Sequence, residues 1–331
     1  MPELPEVETV RRGLNQVTLY QTITGGDVLL DRTIAHPSSL PEFLTGLQGT
    51  AIAQWHRRGK YLLAELIQLP SLATPTDSPI PATPLATTVK RENAEFFANV
   101  VRDSSSASYC TQVPFPAMTQ IAAGYLGVHL RMTGQLLWTT PESVLPKHTR
   151  VRLLFAGDRE LRFVDQRTFG QMWWVPPGIP PESIMTGLQA LGPEPFAPEF
   201  TADYLYDYLH HRQRPIKNAL LDQAVVAGVG NIYADEALFL SGIRPQTLCS
   251  KISRSRMQQL HGNIVQVLQT SIEAKGTTFS SFRSVEGTNG NYGGIAWVYA
   301  RDGDPCRTCG TLIERLKLAG RSAHFCPRCQ R

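Results

Sequence analysis

The sequence predicts an α+β protein of several domains: a β-sandwich or barrel behind a leading helix, a helical middle and a cysteine module at the end. Three observations carry this. The first half alternates apolar and polar residues without a regular β–α–β rhythm, the mark of an antiparallel sheet protein. After Leu191-Gly192-Pro193-Glu194-Pro195 the apolar period becomes helical. The last 35 residues hold two Cys-x2-Cys pairs.

Residues 4–17 read as a helix, because Val7, Val10, Leu14 and Val17 fall on one face. Glu6 and Glu8 come early and Arg11 and Arg12 late, which suits the helix dipole. Strand-like segments follow at 22–30, 50–69, 125–139, 150–156 and 160–175. Val151, Leu153 and Phe155 alternate with polar residues, and Gly157-Asp158 turns the chain towards Leu161 and Phe163, which reads as a hairpin. Residues 70–124 are rich in Pro, Ser, Thr and Ala at their start and read as a surface insertion between two strands. Helices are expected at 201–211, 215–223, 231–241 and 252–274, with Asn231 as an N-cap and Gly242 as a C-terminal stop. Residues 284–294 are rich in Gly, Asn and Ser and read as a loop. The domains are drawn at 1–180, 191–285 and 297–331.

The chain has 331 residues, 42% of them hydrophobic, enough for more than one core. Its net charge is +4, and the segment 301–331, with seven basic and three acidic residues, accounts for a net charge of that size. Two more basic clusters, 56–60 and 210–217, point to a polyanionic partner. There is no run of 18 apolar residues and no signal-peptide pattern, so a cytosolic protein without a membrane span is expected. In that compartment clustered cysteines point to metal rather than disulfides.

The chain begins Met1-Pro2-Glu3. Loss of the initiator Met would leave Pro2 with a secondary amine, whose pKa near ~8 keeps a useful fraction neutral at neutral pH. Attack of that amine on a sugar carbon gives an iminium ion, and Glu3 stands beside it as a proton donor. Read blandly, Pro-Glu is a helix start. Cys306-x2-Cys309-x16-Cys326-x2-Cys329 has the spacing of a four-cysteine structural zinc site. Between the pairs, Arg321 lies at the tip of an expected hairpin, where its guanidinium suits phosphate. The Gly228-Val229-Gly230-Asn231 turn before a helix can offer N–H groups to an anion, and Lys217 lies one helix upstream.

In order along the chain stand MPELPEVETVRRGL, RRGKYL, HLRMTG, DQRTFG, LGPEP, GVGNIYADEALF, SGIRP and the terminal CRTCG…FCPRCQ. Together they resemble formamidopyrimidine-DNA glycosylase, the bacterial 8-oxoguanine glycosylase and AP lyase, over all of the chain except roughly 70–124. The resemblance implies an N-terminal β-sandwich with a leading helix, a helix–two-turn–helix domain and a C-terminal zinc-finger β-hairpin with one structural Zn2+. It implies a monomer acting on damaged double-stranded DNA in the bacterial cytosol.

Residue roles follow from the same likeness. Pro2 matches the nucleophile and Glu3 the acid, with Glu6 a supporting carboxylate. Lys60 matches a lysine near the lesion phosphate, and Arg321 the zinc-finger arginine. Met132, Arg167 and Phe169 match the set that fills the gap left by a flipped base, although on apolar character alone Met132 and Phe169 would be core. Lys217, Gly230 and Asn231 match phosphate contacts. In Asp165-Gln166-Arg167-Thr168 the second arginine of the family pattern is missing. An oxidised-pyrimidine glycosylase of the endonuclease VIII kind and an inactive zinc-dependent DNA binder are the competing readings. The form of the N-terminus and the intact Pro2, Glu3 and Lys60 argue against them.

Overall fold

The computed structural model describes residues 1–69, 121–277, 285 and 290–331. The first half is two sheets packed face to face. Helix α1 (Leu4–Val17) leads into β1 (Ile23–Val28), β2 (Ile34–His36) and α2 (Leu40–Leu47). Then come β3 (Thr50–Arg58), β4 (Tyr61–Gln68), β5 (Ile121–His129), β6 (Gly134–Thr139), β7 (Thr149–Phe155), β8 (Arg159–Asp165) and β9 (Gln171–Val175). One sheet runs β1-β7-β8-β6 and the other β2-β9-β5-β4-β3, in which the short β2–β9 pairing is parallel. Inward residues of both sheets, among them Ile23, Leu153, Phe163, Leu66 and Leu126, share one core with Val7, Val10 and Leu14 of α1.

The expected strand regions are present, but three of them break, and each break is informative. The run 50–69 folds back at Gly59-Lys60, where Arg58 pairs with Tyr61 across a two-residue turn and Gly59 takes φ +55°. The run 125–139 is cut at Leu130–Thr133, with Arg131 left-handed at φ +51°, so its halves join different sheets. The run 160–175 is cut at 166–170, with Thr168 at φ +59°. Gly157-Asp158 makes the expected turn, both residues having positive φ. Helix α2 is an addition to the sequence reading. Its signal was Ser39 three residues before Glu42, and Ser39 Oγ accepts from Glu42 N at 3.4 Å. β5 begins at Ile121, so residues 121–124 are strand rather than insertion. The rest of that segment, with Cys110 and the stretch 89–102, lies outside the described residues.

A short helix α3 (Pro181–Ile184) leads to the helical half: α4 (Ala202–Leu209), α5 (Ile216–Leu220), α6 (Asn231–Leu240) and α7 (Arg254–Glu273). The N-cap of α6 is Gly230, not Asn231, which is the first helical residue. The second core lies here, and Leu4 of α1 belongs to it with Leu205, Ile216, Tyr233 and Leu268. The chain ends in a hairpin of β10 (Glu314–Leu318) and β11 (Arg321–Phe325). Among the described residues no helix is long and apolar enough to cross a membrane.

The two halves are tied by buried charge. Glu194, in the connecting segment, accepts from Arg57 Nη1 at 2.6 Å, Arg58 Nη1 at 3.0 Å and Gly59 N at 2.6 Å. Arg57 Nε also reaches Glu8 of α1 at 3.2 Å. Arg57 and Glu194 are each 3% exposed, so removing one partner would leave the other as an uncompensated buried group.

Candidate active site

The N-terminus is held in the cleft between the halves. Pro2 is buried, and Leu4 N donates to Gly228 O at 3.1 Å. Glu3 is 2% exposed, and its carboxylate caps α6, accepting from Ile232 N at 3.0 Å and Tyr233 N at 3.4 Å. A helix N-terminus is a favourable place for that charge. Gly230 makes the fit possible, since a Cβ there would lie 2.2 Å from Glu3 Cδ. The glycine turn thus faces the N-terminus, and Gly230 gives room to Glu3.

Glu6 lies directly behind. It accepts from Glu3 N at 2.8 Å, Tyr233 Oη at 2.6 Å and Thr277 N at 2.9 Å, and Tyr233 Oη accepts from Ser271 Oγ at 2.6 Å. Burial pushes the Glu6 carboxyl up to about 7, and the charge of Glu3 adds to the rise. Burial also raises Glu3, against the pull of Lys60 and the α6 N–H groups. At about 7 the Glu6 carboxyl keeps a proton near neutrality, and Glu3 is moved in the same direction, towards the property a general acid needs.

Lys60 approaches from the β3–β4 turn, and its Nζ donates to Val229 O at 3.0 Å. It is buried. Burial brings its ammonium down to about 8, helped by Arg321 and opposed by Glu3. The sequence reading missed His129, which lines a cleft of about 210 Å³ with Lys60, Tyr61, Arg131 and Gln223. Its Nδ1 accepts from Arg131 N at 2.9 Å, and burial with the cations Arg131 and Lys60 holds it down to about 3. The ring is therefore neutral with its proton on Nε2, free to donate into the cleft. His129 stood in the motif that was read only for Met132.

The two interrupted strands carry the exposed loops. Asp165 knits them, accepting from Thr133 Oγ1, from Arg167 N at 3.2 Å and from Gly170 N at 2.7 Å. Met132 is half-buried, while Phe169 is 54% exposed, so Phe169 is no core residue. The Arg167 guanidinium lies 5.1 Å from the Phe169 ring centroid, a cation–π pair in the open.

Lys217 differs from its expected role. It is fully buried, pairs with Asp235 at 2.6 Å and donates to Ser322 O at 2.5 Å. Asp235 in turn accepts from His324 N at 3.0 Å and lies 3.1 Å from His324 Nδ1. Lys217 braces the hairpin that carries Arg321 and has no surface to offer a phosphate. Arg321 itself is exposed, beyond the left-handed turn Ala319-Gly320. Asn231 is partly buried, and its Oδ1 has no hydrogen-bond partner among the described residues.

Cys306, Cys309, Cys326 and Cys329 bring their sulfurs within 4.8 Å of one another. The pairs Cys306–Cys329 and Cys309–Cys326 are 3.9 and 3.5 Å apart. Tetrahedral zinc with Zn–S bonds of roughly 2.3 Å needs sulfurs roughly 3.8 Å apart. The donor set fits one structural Zn2+, backed by Phe239, Val298 and Ile313.

A buried chain start beside two acids, in a protein with a buried lysine and with loops that show arginine and an aromatic ring, suits amine chemistry on a polyanion. The class is that of the nucleic-acid-processing enzymes. Comparison with known proteins narrows it. Residues 1–172 match the formamidopyrimidine-DNA glycosylase N-terminal domain, 191–283 its H2TH domain, and 303–331 the zinc finger found in FPG and IleRS. The chain is 57% identical to formamidopyrimidine-DNA glycosylase of a Nostoc species and 56% identical to that of a Synechococcus species, covering all of this chain and 100% and 99% of theirs. Among solved structures it is similar to a Lactococcus lactis FPG variant with Fapy-dG containing DNA (TM-score 0.77, 28% identity, both chains fully covered). It is also similar to Lactococcus lactis Fpg with an abasic site containing DNA (TM-score 0.76, 28% identity, 99% of each chain). The chain belongs to the formamidopyrimidine-DNA glycosylase family and is a DNA glycosylase with a zinc finger.

Proposed function

We propose that the chain, as a monomer in the bacterial cytosol, excises oxidised purines such as 8-oxoguanine and formamidopyrimidines from duplex DNA and then cuts the strand. Pro2, freed of Met1, is the nucleophile. Its nitrogen bonds to C1′ of the damaged nucleotide as the glycosidic bond breaks, and the base departs with that electron pair and takes up the proton the amine releases. Glu3 then protonates the sugar ring oxygen, and the C1′–O4′ bond opens as the nitrogen lone pair forms the C=N bond. The iminium that results acidifies C2′, so the 3′ phosphate leaves by β-elimination and the 5′ phosphate by δ-elimination. Glu6 holds the Glu3 backbone in place. Lys60 and Arg321 take the phosphates flanking the lesion, and Asn231 a further one.

The base has to leave the stack to reach Pro2. Met132, Arg167 and Phe169 fill the hole, with Arg167 bonding the unpaired cytosine. The working units are 1–180, 191–285 and 297–331. The observation that carries this reading is the buried Glu3 carboxyl, raised in pKa and seated on the α6 N-terminus one residue from Pro2. Borohydride trapping on an 8-oxoguanine·C duplex tests it. Pro2→Gly is expected to lose most of the covalent adduct, and undiminished trapping would refute the nucleophile. An oxidised-pyrimidine duplex beside it checks the substrate class.

A further inference from the structure

The loop 166–170 sits beside more positive charge than its own residues supply. Arg32 lies in the short turn Asp31–Thr33, 136 positions before Thr168, and its Nη2 donates to Thr168 Oγ1. Arg167 and Phe169, on either side of Thr168, are exposed. The Arg32 guanidinium is thereby tied to the residue between them.

Its surroundings leave it free for an anion. Arg32 is exposed, and no carboxylate lies within ion-pair distance among the described residues. One of its five N–H donors serves a neutral hydroxyl. Asp165, the loop's own carboxylate, is buried and filled by Thr133, Arg167 N and Gly170 N. Two more arginines border the loop with neutral partners: Arg131 donates to Gln171 Oε1 at 2.9 Å and Arg150 to Asp165 O at 2.9 Å. Four guanidinium groups on or bordering a loop whose own carboxylate is already satisfied form an anion-seeking surface.

We propose that Arg32 binds a backbone phosphate of duplex DNA beside the gap that Arg167 and Phe169 enter, with Thr168 as the fixed point that aims it. The inference rests on the reading that the loop 165–170 enters DNA. A guanidinium tethered through one nitrogen has less freedom to lose on meeting a phosphate than an untethered one. The charge absent from position 168 of the chain is supplied from position 32.

The test is binding of the full chain, freed of Met1, to a duplex with a tetrahydrofuran abasic analogue opposite C, by fluorescence anisotropy over a range of KCl concentrations. Each phosphate contact contributes about 0.9 to the slope of log Kd against log salt. Arg32→Ala is expected to lower that slope by about one and weaken binding by about tenfold at low salt, with single-turnover Schiff-base formation at saturating DNA within about twofold. Thr168→Val, which keeps the shape and loses the hydroxyl, should fall between. Arg32→Ala/Thr168→Arg should regain the slope by putting the guanidinium on the loop. Arg167→Ala and Phe169→Ala, run alongside, separate two failures. If they weaken binding while Arg32→Ala keeps the parent slope, the Arg32 site is overturned alone. If they bind as the parent does, the reading of the loop falls and the Arg32 site with it.

Discussion

Gly230 and Glu3 occupy a single space: the carboxyl of one fills the volume where the other would carry a Cβ, 2.2 Å from Glu3 Cδ. Gly230→Ala must therefore push Glu3 off the N–H groups of Ile232 and Tyr233. A misplacement of about 1 Å can cost about a hundredfold in rate. Base excision in single turnover is expected to fall by about that factor, with abasic-analogue binding within about threefold. Excision at the parental rate would show that Glu3 needs no such seat.

Lys60 gives a pH signature. Its ammonium is brought down to about 8, so its charge is present below that pH and lost above it. Affinity for lesion DNA is expected to weaken as pH rises through about 8. Lys60→Arg keeps its charge to far higher pH, so its affinity should stay level across the same range. Parallel curves for parent and variant would remove Lys60 from the phosphate contacts.

Lys217 and Arg321 should part company. Lys217→Met leaves Asp235 buried without its lysine, held by His324 alone, a loss of about 3–5 kcal/mol in thermal or urea unfolding. Adding Asp235→Asn should restore part of it. The salt slope of DNA binding at a temperature where the variant is folded should not move. Arg321→Ala should do the reverse, with a lower slope and little change in stability. A slope change in Lys217→Met of the size seen in Arg321→Ala would return Lys217 to the DNA surface.

Glu8 sets an acid limit on stability. Burial alone would raise its carboxyl, but Arg11, Arg57 and Arg12 outweigh it and hold it at about 2. A depressed folded-state value stabilises above the unfolded value, near ~4.3, and that stabilisation is lost as pH falls towards about 2. The contribution is on the order of 3 kcal/mol. Urea midpoints of the parent should drop through this window, and those of Glu8→Gln should drop by less. Equal slopes would mean that the cluster of Glu8, Arg57 and Glu194 is not what acid breaks.

Much of the site was legible because it is local. Pro2, Glu3 and Glu6 fall on one helix start, and the four cysteines carry their geometry in their spacing. What was hidden depends on distant partners or on backbone conformation. Arg131 and Thr168 sit in left-handed conformations that side-chain periodicity does not register, so two strands read as continuous. Lys217 looked like a basic surface residue because its partner Asp235 comes from the next helix and its burial from a hairpin a hundred residues on. Gly230 was read for its N–H, and the neighbour that needs its missing side chain lies at the other end of the chain. His129 was overlooked because its tautomer is set by the fold around it.

Helix α1 has its first residue, Leu4, in the helical interior and Val7, Val10 and Leu14 in the sandwich interior. A gene divided between codons 180 and 191 would then encode two incomplete polypeptides. The front piece would bare a leucine, and the back piece would have a hole of that shape. Co-expressed, the pieces have a reason to reassemble, which makes this junction a place to build a split reporter of folding.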